Sequence, residues 1–360
     1  MASAARRHVA ILGAGPAGLA AAACLRALGV GHTLVERGPE VAAALRLVDP
    51  EMALLSPTAL SRLPGMRAAA GEPAYLTFRE LVARLERYRE EQGIEVQTGT
   101  EAVRVRREGA GFVVELRDAG GAARELRASH VVNATGIIGA PALPADFAPA
   151  AAELAWKHSL HVRDADLRTA HRLLLVGGGA SAAEVLERWL EVRPPDSRAW
   201  ISLRSRLMAV PHRVLGVDVH WLSWLPEQLP AWRLGPRAAA LPEPMLGNAA
   251  RRALRTGAAS LAGPVERYAG ALVHTARGGP LRPDLVVFAT GFRYETRHLD
   301  GLLDRSADGR PRLRACESTR APGLYLLGYR FGRTFASPYL RGIARDAVRV
   351  ARRIASQEPA

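Results

Sequence analysis

Apolar and polar positions divide the chain into short β-type runs and longer alanine- and leucine-rich helical stretches. Residues 8–12 form an apolar run too short for a helix, and residues 19–28 are helix-prone. Between them stands Gly13-Ala14-Gly15-Pro16-Ala17-Gly18, and a second strand over 32–35 ends at Glu36. The same order recurs: a strand over 172–176, Gly177-Gly178-Gly179-Ala180-Ser181-Ala182, a helix over 183–191 and a strand over 199–203. The pattern further predicts a helix over 78–92 and strands over 96–106, 112–118 and 125–132, with Ala119-Gly120-Gly121 as a hairpin turn. Toward the C-terminus it predicts a strand over 324–327, entering Gly328, and a helix within 337–354. Strands alternating with helices in this way predict an α/β fold with two Rossmann-like dinucleotide-binding domains.

A glycine turn between a strand and a helix carries a specific chemistry. Gly13 permits the tight turn, Gly15 lets a pyrophosphate approach the backbone, and Gly18 lets helix and strand pack closely. The helix start, with Pro16 and Ala17, offers free N–H groups to phosphates. Glu36 stands where a carboxylate can accept from both hydroxyls of an adenosine ribose. In the second unit Gly177, Gly179, Ala180, Ser181 and Ala182 form the turn, and the following strand ends in Arg204-Ser205-Arg206 with no acid. A guanidinium there can bind a 2′-phosphate bidentately, so the second site is expected to prefer NADPH over NADH. Two turns in one chain suggest FAD at the first and the nicotinamide cofactor at the second.

Two near-duplicates, Val131-Val132-Asn133-Ala134-Thr135-Gly136 and Leu285-Val286-Val287-Phe288-Ala289-Thr290-Gly291, are expected to mark crossings between domains. The FAD domain is then 1–142 plus 292–360, interrupted by an NADPH domain over 143–291. Residues 207–261, with Trp221, Trp224 and Trp232, read either as a helical cap over a substrate or as interdomain packing.

Composition narrows the chemistry. A length of 360 residues corresponds to about two domains, and 48% hydrophobic with 23% charged residues excludes a disordered chain. Cys24 and Cys316 form no CxxC, which excludes a dithiol centre and leaves redox chemistry to a cofactor; no metal site is expected. The net charge of +14 is carried by arginines scattered along the chain, with Lys157 the only lysine. We read this as a bias toward Ala and Arg and expect no nucleic-acid partner, an anionic partner being the minority reading. The uncharged stretch 9–25 is too short to span a bilayer and holds three glycines and a proline, so no membrane insertion and a cytoplasmic location are expected.

Taken with Ser56-Pro57, Leu63-Pro64-Gly65, His158-Ser159, Gly-Leu-Tyr-Leu-Leu-Gly at 323–328 and the stretch 337–347, these motifs resemble the two-dinucleotide-binding-domain flavoproteins. Within them they resemble the flavin-containing monooxygenase group, especially its short bacterial CzcO-like and plant YUCCA-like members. The resemblance implies that NADPH reduces FAD and that a C4a-peroxyflavin passes one oxygen atom of dioxygen to a small organic substrate. On this reading FAD is held by Gly13, Gly15, Pro16, Ala17, Gly18, Glu36, Arg37, Val103, Thr135, Gly136, Gly328, Ser337 and Leu340. NADPH is held by Gly177, Gly179, Ala180, Ser181, Ala182, Arg204, Ser205, Arg206, Thr290 and Gly291. A helix beginning near Ser337 would point its N-terminus at the flavin, and His158 is the candidate catalytic residue, with a structural role or a cofactor contact as its alternative. Ala42-Ala43-Ala44-Leu45 replaces the group's Gly-Gly-x-Trp, and Ala152, Leu154 and Val162 depart from the signature around His158. These departures keep two alternatives open: an NADPH oxidoreductase that passes electrons without oxygenation, and a non-enzymatic flavin-binding interaction protein. Oligomeric state is left open.

Overall fold

The computed structural model describes residues 8–144, 147, 153–224, 227, 229–230, 245–306 and 309–357. Trp232, Ala152 and the stretch 231–244 of the expected cap lie outside these residues.

Strand β1 (His8–Leu12) has Val9, Ala10, Ile11 and Leu12 at 0–1% exposure, the continuous burial expected of a central parallel strand. Helix α1 (Pro16–Ala27) follows with Pro16 in its first turn, where the missing N–H costs no hydrogen bond, and leads to β2 (Gly31–Val35). Helix α2 (Phe78–Glu91) starts at a capping box in which Thr77 and Glu80 satisfy each other's backbone N–H groups. Strands β3 (Thr100–Glu108), β4 (Gly111–Asp118) and β5 (Ala123–Ala128) form a three-stranded antiparallel sheet. The predicted strand 125–132 is two strands. It breaks at Ser129, whose N–H donates to the His8 carbonyl, and β6 (His130–Asn133) then pairs in parallel with β1. The predicted strand 96–106 likewise begins only at Thr100, residue 97 making a single bridge to Val35.

The first large sheet runs Leu313–Arg314, Glu317–Ser318, Leu324–Leu326, β6, β1, β2, parallel from the third strand onward. Parallel pairing puts the turns after β1, β6 and Leu324–Leu326 at one end of the sheet, where ligands bind in open α/β sheets. The C-terminal helix, Leu340–Ser356, shares a core with α1 through Leu19, Ala20, Ile343, Ala347 and Ile354.

The second sheet is wholly parallel, in the order Ala259–Ala262, β9 (Arg198–Ser202), β8 (Arg172–Val176), Leu285–Phe288, β7 (Trp156–His158). Helix α3 (Asp164–Thr169) precedes β8, and α4 (Ala180–Val192) follows it. Trp189 of α4 is fully buried and donates to the Ala170 carbonyl at 3.0 Å. The chain passes between the sheets along two adjacent segments: Ala142 N–H donates to the Gly291 carbonyl at 2.9 Å, and Arg293 N–H to that of Ala140 at 2.8 Å.

Among its described residues, the segment 207–261 divides into two parts. Residues 208–223 form short strands and one five-residue helix, whereas Ala249–Arg255 packs with α4 and Ala259–Ala262 is the edge strand of the second sheet. The burial of Met245, Ala249, Ala250 and Ala253 in that core decides the division.

Candidate functional site

The two glycine turns are built alike, each against an Ala-Thr-Gly. Gly13 has φ +97°, and a Cβ on it would lie 2.7 Å from the Ala134 carbonyl oxygen. Gly177 has φ +125°, and its Cβ would lie 2.2 Å from the Ala289 carbonyl oxygen. The near-duplicate segments are thus the walls on which the turns rest. Gly18 admits no side chain, since its Cβ would fall 1.9 Å from the Gly13 oxygen; above Gly15, by contrast, nothing lies within 4 Å. Neither α1 nor α4 has a side-chain N-cap, so the first-turn N–H groups, Pro16 having none, are not taken by a capping side chain, as a pyrophosphate cradle requires.

At the end of β2, Glu36 accepts from Ala14 N–H through Oε2 and from Gly38 N–H through Oε1, both at 2.8 Å. The carboxylate therefore tightens the turn while each oxygen keeps a further lone pair for a ribose hydroxyl.

A cavity of about 1580 Å³ begins at this turn. Gly13, Gly15, Pro16, Ala17, Glu36, Arg37, Val103, Thr135, Gly136, Gly328 and Leu340 all line it, so eleven of the thirteen residues expected around the first turn come together. The other two stand behind its wall. Gly18 packs against Gly13 and Leu34, and Ser337 is 1% exposed, its Oγ accepting from Arg333 N–H at 3.1 Å and Thr334 N–H at 3.0 Å. The helix expected near Ser337 begins at Leu340. Its N-cap is Tyr339, with no side-chain hydrogen bond, and Pro338, Tyr339 and Arg341 line the cavity at its uncapped end.

Of the residues assigned to the second turn only Ala180 lines this cavity, joined by Glu184 one turn later. Gly177, Gly179, Ser181 and Ala182 do not line it, and Ala182 is buried in the core of the second domain. Arg204, Ser205 and Arg206 are exposed immediately after β9, whose last residue, Ser202, pairs with Val176 just before the turn. Thr290 donates to the Ala142 carbonyl and the Gly291 carbonyl accepts from Ala142, so both hold the crossing.

His158, the candidate catalytic residue, does not line this cavity. It is 2% exposed; its Nδ1 accepts from Leu160 N–H at 3.2 Å and its Nε2–H donates to the Gly291 carbonyl at 3.0 Å. Both ring nitrogens are committed, and burial lowers its pKa, so the ring is a neutral tie across the interdomain crossing. Lys157 beside it pairs with Asp166 at 2.7 Å.

The cavity also contains groups the motifs did not announce. Burial raises the Glu184 carboxyl to about 7, with Arg188 opposing the shift. An acid one turn into the helix of a glycine turn was the available signal. Arg341, 7% exposed, grips Glu227 with two 2.7 Å bonds and donates to Ser56 Oγ at 3.0 Å, clasping Glu227 to the first domain. His298 donates to Asn133 Oδ1 at 2.7 Å, and its burial depresses it to about 4. His220 faces the cavity beside a buried Asp218. These depend on contacts across the chain that no local pattern carries.

Comparison with known proteins agrees with this geometry. The model of the pyridine nucleotide-disulphide oxidoreductase family matches residues 10–190. Among curated relatives, indole-3-pyruvate monooxygenase YUCCA1 of Oryza sativa subsp. japonica is 30% identical over 228 residues, 61% of this chain and 54% of that protein. YUCCA6 of Arabidopsis thaliana is 26% identical over 382 residues, covering 95% and 88%. The chain thus spans about half the length of YUCCA1, and of YUCCA4, which it also matches. Among solved structures, a flavin-containing monooxygenase from Stenotrophomonas maltophilia superposes with a TM-score of 0.77 at 23% identity, covering 97% of this chain and 99% of that one. The bacillithiol disulfide reductase YpdA of Bacillus cereus does so at 0.73 and 17% identity, covering 97% and 99%. Two dinucleotide-binding folds, joined by paired crossings and matched by the family model over half the sequence, make this chain an oxidoreductase of the pyridine nucleotide-disulphide oxidoreductase family.

Proposed function

We propose that the protein is an NADPH-dependent FAD monooxygenase acting in the cytoplasm on a small organic substrate, with the balance substrate + O2 + NADPH + H+ giving oxygenated substrate + H2O + NADP+. The observation that carries this reading is the single cavity linking the first glycine turn, the uncapped start of Leu340–Ser356 and the start of α4. Residues 1–142 with 292–360 form the FAD domain and 143–291 the NADPH domain.

When bound, FAD supplies hydride acceptance and oxygen activation. The chain's part is to hold and orient. Gly13, Gly15 and the N–H groups at the start of α1 would cradle the pyrophosphate, and Glu36 would accept from the ribose. The backbone N–H groups at Leu340 and Arg341, at the uncapped helix start, would favour negative charge on a ring system held beside them. Arg204 and Arg206 take the 2′-phosphate of NADPH. Leu45, Leu54, Ile138 and Phe335 make an apolar wall that keeps water from the reacting region.

The chain's own thiols cannot run the disulphide chemistry in the family's description. Cys24 and Cys316 are buried and free, burial lifts Cys24 to about 11 and Cys316 further, and neither lines the cavity. Electron transfer without oxygenation is the second reading. It is favoured by Ala42, Ala43, Ala44 and Leu45, which line the cavity where the group carries an aromatic.

The test is NADPH oxidation by the flavin-loaded protein under 18O2 with a panel of amines, sulfides and keto acids, including indole-3-pyruvate. One labelled oxygen in a product, with little hydrogen peroxide, is the expected result. Stoichiometric peroxide across the whole panel, with anaerobic reduction of an added acceptor, would replace it with the electron-transfer reading.

A further inference from the structure

The far wall of the cavity comes from the segment that the sequence left least legible. Ala209–Val210 pairs in parallel with Met245–Leu246, the hairpin Arg213–Val214/Val217–Asp218 follows, and Val219–Ser223 turns back toward the cavity. Met208, Val210, Val219, Leu229 and Leu246 make this wall largely apolar; of its polar side chains, Ser223 donates to Glu227 and Glu227 is held by Arg341, which leaves His220.

His220 is 6% exposed and Asp218 7%. Asp218 Oδ1 accepts from the backbone N–H of His220 and from its Nδ1, both at 2.8 Å. Asp218 Oδ2 accepts a short hydrogen bond from the Tyr75 hydroxyl, 143 residues away in sequence. An ionised carboxylate has no hydrogen to give, so Nδ1 of His220 carries one and Nε2 is left as a bare lone pair. Among the described residues its hydrogen bonds run through the backbone N–H and Nδ1, and none is made to that lone pair.

We propose that His220 Nε2 is the hydrogen-bond acceptor that selects the substrate, an apolar molecule bearing an N–H or O–H donor, and that Asp218 and Tyr75 are the residues that position it. This rests on the cavity being the substrate site of the oxygenation reading. A preformed acceptor in an apolar wall discriminates because a ligand without a donor leaves it buried and unpaired, which is the costly case. The same trio with His212 is less suited to a metal. His212 Nε2 donates to the Leu55 carbonyl at 2.9 Å and stands 3.5 Å from Asp218 Oδ2, while His220 Nδ1 is committed to Asp218.

Protonation of His220 turns its acceptor into a donor. The groups facing it are Asp218, His212 and Arg341, the last paired with Glu227; Tyr75 reaches it through Asp218 and has Arg213 beside it. Burial sets the direction, downward from 6.5, with Arg341 and His212 acting the same way and Asp218 against them. The acceptor is therefore intact at neutral pH and is lost only as pH falls through a value below 6.5.

The test is equilibrium binding of 2-naphthol and its methyl ether, 2-methoxynaphthalene, to the FAD- and NADP-loaded protein, read by naphthyl fluorescence; it needs no turnover, so failure of the oxygenation reading is separable. Naphthol should bind about tenfold more tightly than the ether at pH 7.5. His220→Phe should erase the preference, and pH 5 should reduce it. Asp218→Asn, of equal volume, should reduce it even if His220→Phe fails to fold, because the ring is no longer held in one tautomer. Equal binding of the pair by the wild type, or a preference unchanged in both variants, would overturn the proposal.

Discussion

The two glycine turns share backbone geometry and differ in everything that surrounds it. At the first, the third small residue is Gly18, with no room for a Cβ; at the second, Ala182 fits the same place with its side chain fully buried. The first is closed by Glu36 through two backbone N–H groups and opens onto a deep cavity. The second is followed by two exposed arginines, and only its Ala180 lines that cavity. On the proposed reading one local device serves two ligands, and the residues just past the next strand decide which.

The largest expected effect comes from exchanging the third residues. Gly18→Ala should cost roughly 3 kcal/mol or more and yield flavin-free or unfolded protein, because the Gly13 carbonyl cannot move without breaking the turn. Ala182→Gly should cost about 1 kcal/mol in chemical denaturation, and equal costs would end the contrast. Glu36→Gln comes next. It keeps the shape but replaces one carboxylate oxygen by a donor facing a backbone N–H, and flavin retention on dilution should fall about 10- to 100-fold. Arg204→Ala with Arg206→Ala should raise the KM for NADPH about tenfold in flavin reduction while leaving NADH alone; parallel changes would remove 2′-phosphate recognition. The smallest effect is on stability. Glu184 is raised to about 7 in the folded protein from an ordinary 4.5, so stability is lost as pH rises through that window. Glu184→Gln should therefore stabilise at pH 8 by roughly 1–3 kcal/mol, and the gain should vanish near pH 4 when both melting curves are compared.

Legibility in the sequence followed the range of the interactions. The glycine turns, α1, α2 and α4 were readable because turn chemistry, caps and apolar spacing act within a few residues. Residues 125–132 were misread as one strand because the break at Ser129 is set by His8, far away in sequence. His158 looked catalytic by motif, yet its role depends on the carbonyl of Gly291, 133 positions on. The helix start moved from Ser337 to Leu340 because the Ser337 hydroxyl is taken by the loop before it.

By itself, the sequence determined the two nucleotide units, the acid after one and the arginines after the other, because each depends on glycine conformation and on charge within one supersecondary unit. Only the tertiary structure decided which segments wall the cavity, that His220 meets Asp218 and Tyr75 there, and that Glu184 is buried enough to hold its proton near neutrality. Burial and tautomer are properties of what folds around a residue, and those neighbours come from parts of the chain that local pattern does not connect.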